Sequence, residues 1–281
     1  MNRFLFSISF FALVFLAKNP VFGETVLGLG YKKIGVGTRN IVMLPGIGDL
    51  KENYLDLATE LSQEAQIHLL DLRGTGESRT DFASYGADET ANDLEAFIVQ
   101  NDLRNVIIVG NSMTCASAIL VATRIPERIQ HIFLTGPFVE DKELSWGLKW
   151  GIKAMFNGPW GAWMFQNYYM SLYPVTKPKD LETHASRIYE NLKEKDRLTA
   201  VRSMFLASKP KSAEALFKLK VPHTFVMGDK DPDFDDPVSE AKRLQKITNG
   251  DLEIFEGSGH YPYKDNFKRL AQVIRRQWEK N

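Results

Sequence analysis

A serine, an aspartate and a histidine, each in a loop that follows an apolar run, could together carry out nucleophilic catalysis. Ser112 follows residues 106–109 in the segment Gly-Asn-Ser-Met-Thr and precedes an alanine-rich stretch, while Asp231 and His260 lie in loops near the C-terminus. A serine hydroxyl is protonated at neutral pH and needs a base to become a nucleophile. Imidazole, with an ordinary pKa close to 7, can take that proton and return it.

The surroundings of Ser112 are typical of a strand-turn-helix junction. Such a turn holds the serine backbone in a strained conformation, and a small residue such as Gly110 lets the strand and the helix approach each other. The pattern usually ends in a second glycine, where this chain has Thr114. Taken alone, the segment is equally compatible with a buried serine that caps a helix.

The elements around these loops predict an α/β fold with a doubly wound, mostly parallel sheet. Strands alternate with helices along the chain, and residues 40–44 form a continuous apolar run typical of a strand that is buried on both faces. In such sheets, binding sites lie beyond the carboxyl ends of the strands. We predict strands at 25–29, 31–36, 40–44, 67–70, 129–134, 224–227 and 252–255, with another strand from residue 107 leading to Ser112. Core helices are predicted at 51–65, 88–101, 113–124, 237–247 and 266–278.

Between residues 138 and 219 the alternation stops, and the sequence indicates helices only. This stretch contains four of the five tryptophans. We predict a helical cap over 138–219 and a core made of 24–137 and 220–281. Most of the aromatic residues should form the core of the cap itself, whereas Trp146, Trp150 and Trp163 are predicted to roof an apolar substrate pocket.

These features together resemble the α/β-hydrolase fold superfamily of serine hydrolases with a helical cap. The resemblance covers nearly everything after residue 24 and rests on Ser112, Asp231 and His260 in that order, on the loops 45–48 and 71–78, and on the cap. It implies that Ser112 is the nucleophile, His260 the general base and Asp231 the group that orients His260. It also implies an oxyanion hole formed by the backbone N–H groups of Met113 and Ile47, with Gly48 as the alternative to Ile47.

Other residues compete for some of these roles. Asp141 is a second candidate for the acid of the triad. Five acidic residues between 229 and 240 also fit the spacing of a calcium loop; they are Asp229, Asp231, Asp233, Asp235 and Glu240. Phe234, however, stands where that loop requires glycine. The histidines other than His260 are predicted to be structural: His68, His131, His184 and His223. We predict neither a metal nor a cofactor.

The N-terminus resembles a secretory signal. Arg3 precedes a short apolar run, which is followed by Lys18 and by a possible cleavage site near Gly23. We therefore predict a signal peptide at 1–23 and a secreted or periplasmic protein without membrane contact after cleavage; an uncleaved anchor is the alternative. The chain has 35 basic and 35 acidic residues, which does not favour nucleic-acid binding, and its single cysteine excludes an internal disulfide.

The predicted activity is hydrolysis of an ester, lactone, thioester or small amide of an apolar small molecule, through an acyl-enzyme on Ser112. Haloalkane and epoxide chemistry is disfavoured, because relatives with those activities use a carboxylate as the nucleophile. Two alternatives stay open. One is a slow or non-catalytic ligand-binding protein, and the other is an amide hydrolase of the aminopeptidase type, in which an acid of the cap holds the substrate amine; the candidates for that acid are Glu140, Asp141 and Glu143.

Overall fold

The structure, a computed structural model, describes residues 24–141 and 146–278. The predicted signal peptide at 1–23 and Glu143 lie outside these residues. Eight strands form one sheet in the order β1-β2-β4-β3-β5-β6-β7-β8. The strands are β1 (Glu24–Val26), β2 (Leu29–Ile34), β3 (Arg39–Leu44), β4 (Ala65–Leu70), β5 (Val106–Asn111), β6 (Ile129–Thr135), β7 (His223–Gly228) and β8 (Asp251–Phe255).

Helices cover both faces of this sheet and fill the long connection between β6 and β7. They are α1 (Leu55–Leu61), α2 (Ala87–Gln100), α3 (Met113–Arg124), α4 (Trp146–Asn157), α5 (Gly161–Ser171), α6 (Leu181–Lys193), α7 (Arg197–Leu206), α8 (Pro210–Leu216), α9 (Pro237–Thr248), α10 (Pro262–Asp265) and α11 (Phe267–Trp278).

The central strands are mostly apolar because both faces of the sheet are covered. On β3, Ile41 and Met43 belong to the hydrophobic cluster formed with α1 and α11, whereas Val42 and Leu44 belong to the cluster formed with α2 and α3. Strands β3 to β8 pair in parallel, and only the β1/β2 and β2/β4 pairs are antiparallel. The prediction of a doubly wound, mostly parallel sheet is confirmed.

The register of the sheet brings the candidate loops to one edge. Leu44 is paired with Gly110, Asn111 with Thr135, and Gly228 with Phe255. The loops that follow β3, β5, β7 and β8 therefore leave the sheet side by side, at its carboxyl edge.

Two local predictions differ from the structure. The turn between β1 and β2 lies at Leu27 and Gly28, which have φ values of 58° and 77°, and not at Gly30. Gly30 lies within β2, where a Cβ atom would be 2.3 Å from the Asp71 carboxylate, so close packing is what requires glycine there. The helix predicted at 51–65 is a single 3₁₀ turn followed by α1, which ends at Leu61.

The helical insertion is present as predicted. Helices α4 to α7 form a cap, with α4 packed against α5 and α7, and α5 packed against α6. Helix α8 packs instead against α3 and α2 of the core. Within the described ranges, none of the helices combines the length and the apolar composition needed to cross a bilayer.

Gly110 provides a test of the packing between β5 and α3. A Cβ atom at this position would lie 2.8 Å from the carbonyl oxygen of Thr114, so Gly110→Ala must push the helix away from the strand. We expect it to lower the free energy of unfolding by about 1–3 kcal/mol in chemical denaturation. Gly151→Ala is the matched control, because a Cβ atom there would have no neighbour within 4 Å, and alanine should stabilise α4 by roughly 0.5–1 kcal/mol. Equal effects of the two substitutions would contradict this packing.

Candidate active site

Ser112 lies at a sharp turn between β5 and α3. Its φ and ψ angles are 56° and −123°, in a region that residues with a side chain rarely adopt. Hydrogen bonds fix the turn from both sides: the N–H of Ser112 donates to the carbonyl oxygen of Thr135 (3.0 Å), and its own carbonyl oxygen accepts from the N–H of Phe138 (3.2 Å). The strained turn presents the partly exposed serine side chain to the space above the sheet edge.

Thr114 replaces the second glycine without disturbing the turn. Its hydroxyl accepts a hydrogen bond from the N–H of Asn111 (2.7 Å) and has the carbonyl oxygens of Asn111 (2.8 Å) and Leu44 (3.2 Å) within reach of its proton. The threonine side chain therefore connects the turn to β3. The glycine that the junction does require is Gly110, against which α3 packs.

Asn111 is a positioning residue that the sequence analysis missed. Its side chain is fully buried, and Nδ2 donates to the carbonyl oxygens of Thr135 and His260, both at 3.0 Å. One amide thus holds the Ser112 turn, the end of β6 and the His260 loop together. The signal in the sequence was a polar residue that ends an otherwise apolar strand directly before the serine.

His260 and Asp231 form a buried pair. Nδ1 of His260 lies 2.7 Å from Oδ2 of Asp231, and both residues are 2 % exposed. The other carboxylate oxygen of Asp231 accepts from the N–H of Asp233 (3.0 Å). The edge of the His260 ring faces Phe138, and a Cβ atom on Gly136, whose φ is 52°, would be 3.0 Å from the ring. The imidazole is therefore held in one orientation by packing and by the carboxylate.

The charges around His260 favour its protonated form. Burial alone lowers the pKa of the imidazole, but the neighbouring carboxylates of Asp231, Asp233 and Asp49 outweigh burial and raise that pKa to about 9. Oδ2 of Asp233 lies 3.9 Å from Nδ1 and also accepts a hydrogen bond from the hydroxyl of Tyr168 (2.7 Å). An imidazolium formed during a reaction would thus be stabilised in place.

Ile47 and Met113 lie on either side of the Ser112 turn. Since Leu44 is paired with Gly110, the loop after β3 passes directly beside the turn after β5. Gly46 allows this approach, because a Cβ atom there would be 2.7 Å from the Asn111 amide oxygen. In the described part of the chain, the N–H groups of Ile47 and Met113 donate to no protein oxygen. Met113 also opens α3, where the helix dipole favours negative charge.

Asp49 is the centre of a buried polar network that the sequence analysis also missed. It is fully buried and directly follows the loop that carries Ile47. Its Oδ1 is 2.7 Å from Nε2 of His184 on α6, and its Oδ2 accepts from Asn53 (2.7 Å) and from the hydroxyl of Tyr263 (2.9 Å). The network connects the loop to the cap and to the core. His184 is thus a buried histidine with a defined partner.

These groups open onto one cavity of about 760 Å³ beneath the cap. Ser112, His260, Ile47 and Met113 all line it, and an apolar wall encloses much of the remaining space. The side chains of that wall are Phe138, Ile152, Tyr168, Leu172, Met204, Phe205, Leu206 and Tyr261. Asp231 lies behind His260, outside this lining.

The tryptophans predicted to roof the pocket do not line it. Trp146, Trp150 and Trp163 are 77 %, 58 % and 58 % exposed and lie on the outer surface of the cap. The aromatic and aliphatic groups that face the cavity from the same helices are Ile152 of α4 and Tyr168 of α5. The sequence predicted these helices but not their rotation, because the inner and outer faces of α4 and α5 are both apolar.

The contacts of the other acidic residues do not support the roles of triad acid or calcium ligand. The carboxylate of Asp141 accepts from the hydroxyl of Ser208 and from the N–H of Lys209, and not from a histidine. The carboxylates of the calcium-loop pattern diverge: Asp229 accepts from the N–H of Gly257, and Glu240 pairs with Arg243. Side-chain oxygen and nitrogen atoms of Asp231, Asp233 and His260 lie close enough together to be compared with a metal site. The contact between Nδ1 of His260 and Asp231, however, is at the distance of a hydrogen bond.

The titration of His260 provides a test of this arrangement. In an NMR titration of the folded protein, we expect its imidazole to titrate near pH 9. Asp233→Asn should lower this pKa, since one of the negative charges that stabilise the imidazolium is removed, and Asp231→Asn should lower it further, because the direct hydrogen bond to a charged partner is lost as well. His68 is the internal control: burial lowers its pKa to about 4, and neither substitution should move it. A His260 pKa at or below 6.5 in the wild type would contradict the arrangement.

Comparisons with known proteins were made for both sequence and fold. A curated relative, the 2-hydroxy-6-oxononadienedioate/2-hydroxy-6-oxononatrienedioate hydrolase 1 of Pseudomonas putida, is 26 % identical over 273 residues, which are 89 % of this chain and 92 % of that protein. An esterase from Thermogutta terrifontis superposes with a TM-score of 0.75 at 18 % identity and covers 90 % and 93 % of the two chains. The meta-cleavage product hydrolase of Pseudomonas fluorescens IP01 gives a TM-score of 0.70 at 19 % identity and covers 92 % and 98 %.

The structural likenesses establish the fold, in agreement with the sheet order and with the strained serine turn. The model of the alpha/beta hydrolase family matches residues 41–273, which include β3, the Ser112 turn, the cap and the loops of Asp231 and His260. Since this match extends over most of the chain, the protein belongs to the alpha/beta hydrolase family.

Proposed function

We propose that the protein is a serine hydrolase that cleaves an ester, lactone, thioester or small amide bond of an apolar substrate through an acyl-enzyme on Ser112. The observation that carries this proposal is the strained Ser112 turn, which opens onto the same apolar cavity as His260, whose ring is fixed by Asp231 at 2.7 Å. Membership in a family of hydrolases supports it.

Acylation requires the neutral form of the His260 imidazole, which a pKa of about 9 makes the minor form at neutral pH, so the rate should rise with pH up to about pH 9. In this step, the Ser112 oxygen attacks the substrate carbonyl carbon, and its proton passes to Nε2 of His260. Nδ1 of His260 keeps its own proton in the hydrogen bond to Asp231, so the imidazolium forms beside a carboxylate. The negative charge that develops on the carbonyl oxygen is stabilised by the N–H groups of Ile47 and Met113, and each such donor is worth roughly 3 kcal/mol in comparable sites.

The tetrahedral intermediate then collapses. The bond between the carbonyl carbon and the leaving group breaks, and the leaving group takes the proton from Nε2 of His260 and departs as an alcohol, thiol or amine. In the deacylation step, a water molecule gives a proton to Nε2 and attacks the acyl carbon. His260 returns that proton to the Ser112 oxygen as the carboxylic acid leaves.

The cavity favours an apolar acyl or leaving group of small to medium size. Its wall consists mainly of aliphatic and aromatic side chains, among them Ile152 and Phe205, and its volume of about 760 Å³ lies within the usual range for small-molecule sites.

The contacts of the acids favour esters over substrates with a free amine. An aminopeptidase-type site needs a carboxylate that is available to the substrate ammonium. Glu140 and Asp141 both line the cavity, but Glu140 pairs with Arg243, and Asp141 is held by Ser208 and Lys209, so both carboxylates already have partners. Glu143 lies outside the described residues.

We also propose that the protein is exported, with 1–23 as its signal peptide. This proposal is supported by the sequence alone, through the charged start, the short apolar run and the small residue near position 23. N-terminal sequencing of the protein purified from the extracytoplasmic fraction of its host would test it, with a start near Glu24 as the expected result. A protein that retains Met1 in that fraction would contradict cleavage.

Ser112 can be tested with a serine-reactive fluorophosphonate probe and with a series of p-nitrophenyl esters of graded acyl length. We expect the wild type to be labelled at Ser112 and to hydrolyse at least one of these esters, and Ser112→Ala to lose labelling and about 10⁴-fold or more of kcat/KM. His260→Ala should lose both as well, because no base remains to activate the serine. Ser117→Ala is the matched control, since this buried hydroxyl of α3 donates to the carbonyl oxygen of Ala87, away from the cavity.

The outcomes of this experiment separate the proposed enzyme from its alternative. Equal labelling of Ser112→Ala and the wild type would refute the role of Ser112. Ester binding by the folded wild type with neither labelling nor turnover would assign the cavity to a non-catalytic ligand-binding protein.

The Asp49 network gives a second test, which concerns the position of the Ile47 loop. His184→Leu removes a partner of the buried Asp49 carboxylate, so the loop should shift. We expect kcat to fall tenfold to about a hundredfold with little change in KM, because the oxyanion donor acts mainly in the transition state. His223→Leu is the matched control: His223 is also buried and bonded, but it lies at the amino end of β7.

Both substitutions should lower the temperature of thermal unfolding, so stability alone does not distinguish them. Only His184→Leu should lower kcat. A His184→Leu variant with the kcat of the wild type would show that the network does not position the loop.

A further inference from the structure

The outer surface of the cap carries four tryptophans that the proposed reaction does not use. Trp146 and Trp150 on α4, Trp160 just before α5, and Trp163 on α5 are each more than half exposed. Tryptophan is costly to leave in water because of its large apolar surface, and contiguous exposed apolar patches on soluble proteins commonly mark an interaction surface.

The exposure follows from helical spacing. On α4, Trp146, Trp150 and the exposed Lys153 are related by intervals of four and three residues, so they share one side of the helix. On α5, Trp163 and Met164 are exposed while Ala162 and Phe165 are buried. Helix α5 therefore has a buried apolar side toward the protein and an exposed aromatic side toward solvent, and on α4 Phe156 is buried while both tryptophans are exposed.

The exposed sides of the two helices are contiguous. The ring centroids of Trp146 and Trp150 are 6.1 Å apart. The indole N–H of Trp160 donates to the carbonyl oxygen of Ala154, so the Trp160 ring folds back onto α4 and links it to the start of α5. We call this surface the cap tryptophan face; it consists of Trp146, Trp150, Lys153, Trp160, Trp163 and Met164.

The charge of this segment is one-sided although the whole chain is balanced. Residues 146–173 contain two lysines, Lys149 and Lys153, and no acidic residue. Tryptophan beside lysine is the combination that suits the interface of a bilayer, where indole rings lie at the level of the headgroups and lysine is attracted to anionic lipid. A surface that binds another protein would be expected to be depleted in lysine at its centre.

The position of the cap tryptophan face relative to the cavity agrees with a bilayer as the partner. Ile152 and Tyr168, on the inner sides of the same two helices, line the cavity that contains Ser112. Contact of the outer sides with a bilayer would bring the cavity close to a reservoir of apolar molecules.

From the exposure, the contiguity and the charge, we infer that the cap tryptophan face docks the protein onto the surface of a bilayer that contains anionic phospholipid. The contact is peripheral, with indole rings at headgroup depth. It differs from the expectation of no membrane contact after cleavage of the signal peptide, which concerned the N-terminal segment alone. The inference does not depend on the proposed reaction.

The test uses tryptophan fluorescence of the full chain with vesicles whose phospholipids carry brominated acyl chains. Bromine quenches an indole ring only at close contact, so a tether through the apolar N-terminus does not by itself produce the signal. The one tryptophan outside the face, Trp278, is only 7 % exposed and lies on α11. We expect quenching and a blue shift with vesicles of phosphatidylcholine and phosphatidylglycerol, and a higher half-maximal lipid concentration with phosphatidylcholine alone.

Matched variants assign the contact to the face. Lys153→Glu should raise the half-maximal lipid concentration by roughly twentyfold, because it replaces attraction to anionic lipid with repulsion. Lys220→Glu makes the same change in net charge just before β7, at the other end of the strands, and should leave that concentration unchanged. In the same way Trp163→Gln should weaken binding, whereas Phe217→Gln, which removes another exposed aromatic ring, should not. Thermal unfolding near that of the wild type verifies that each variant is folded.

Three results would overturn the inference. The first is the absence of bromine quenching for the folded wild type. The second is equal weakening by Lys153→Glu and Lys220→Glu. The third is concentration-dependent self-association in the absence of vesicles, combined with no quenching by lipid. If the double variant Trp146→Gln/Trp150→Gln no longer self-associates, this result would assign the face to a second copy of the chain.

Discussion

The parallel register of β3 against β5 is the constraint on which the rest of the site depends. Because Leu44 is paired with Gly110, the loop after β3 and the turn after β5 begin at the same level of the sheet. Gly46 then passes so close to Asn111 that no side chain fits at position 46. A shift of the register would move the loop of Ile47 away from the turn that carries Ser112 and Met113. The hydrophobic clusters on both faces of the sheet fix this register, since a slip by one residue would exchange Ile41 and Met43 with Val42 and Leu44.

Buried polar groups also fix the positions of the loops around Ser112. Asn111 joins the serine turn to the histidine loop, and Asp49 joins the loop of Ile47 to the cap through His184. A buried amide or carboxylate that loses a partner costs about 1–3 kcal/mol or more, so these contacts oppose displacement of the loops in addition to the surrounding apolar packing. The cap is therefore part of the arrangement of the site. The cap contacts Asp49 through His184, and its Leu172 carbonyl oxygen accepts a hydrogen bond from the N–H of His260. These two contacts reach both sides of Ser112.

The sequence was sufficient to predict the sheet, the helical insertion and the common edge of the loops, because strand runs and loop residues are local patterns. It did not predict Asn111 or Asp49, whose partners are as far away as residues 260 and 184 in the chain. It misplaced the three tryptophans for a different reason. In α4 and α5 both sides are apolar, so periodicity indicates the helices but not their rotation. On α5, Phe165 is buried and packs against Gly48 in the loop of Ile47, whereas Trp163 is exposed.

The same contact explains why the reaction site and the aromatic surface are close neighbours. Gly48 has a φ of 74° and no side chain, and the Phe165 ring occupies the space that a Cβ atom would take. The helix that packs against the loop of Ile47 is therefore the helix that presents Trp163 and Met164 to the exterior, so one element forms both the roof of this loop and part of the outer aromatic surface.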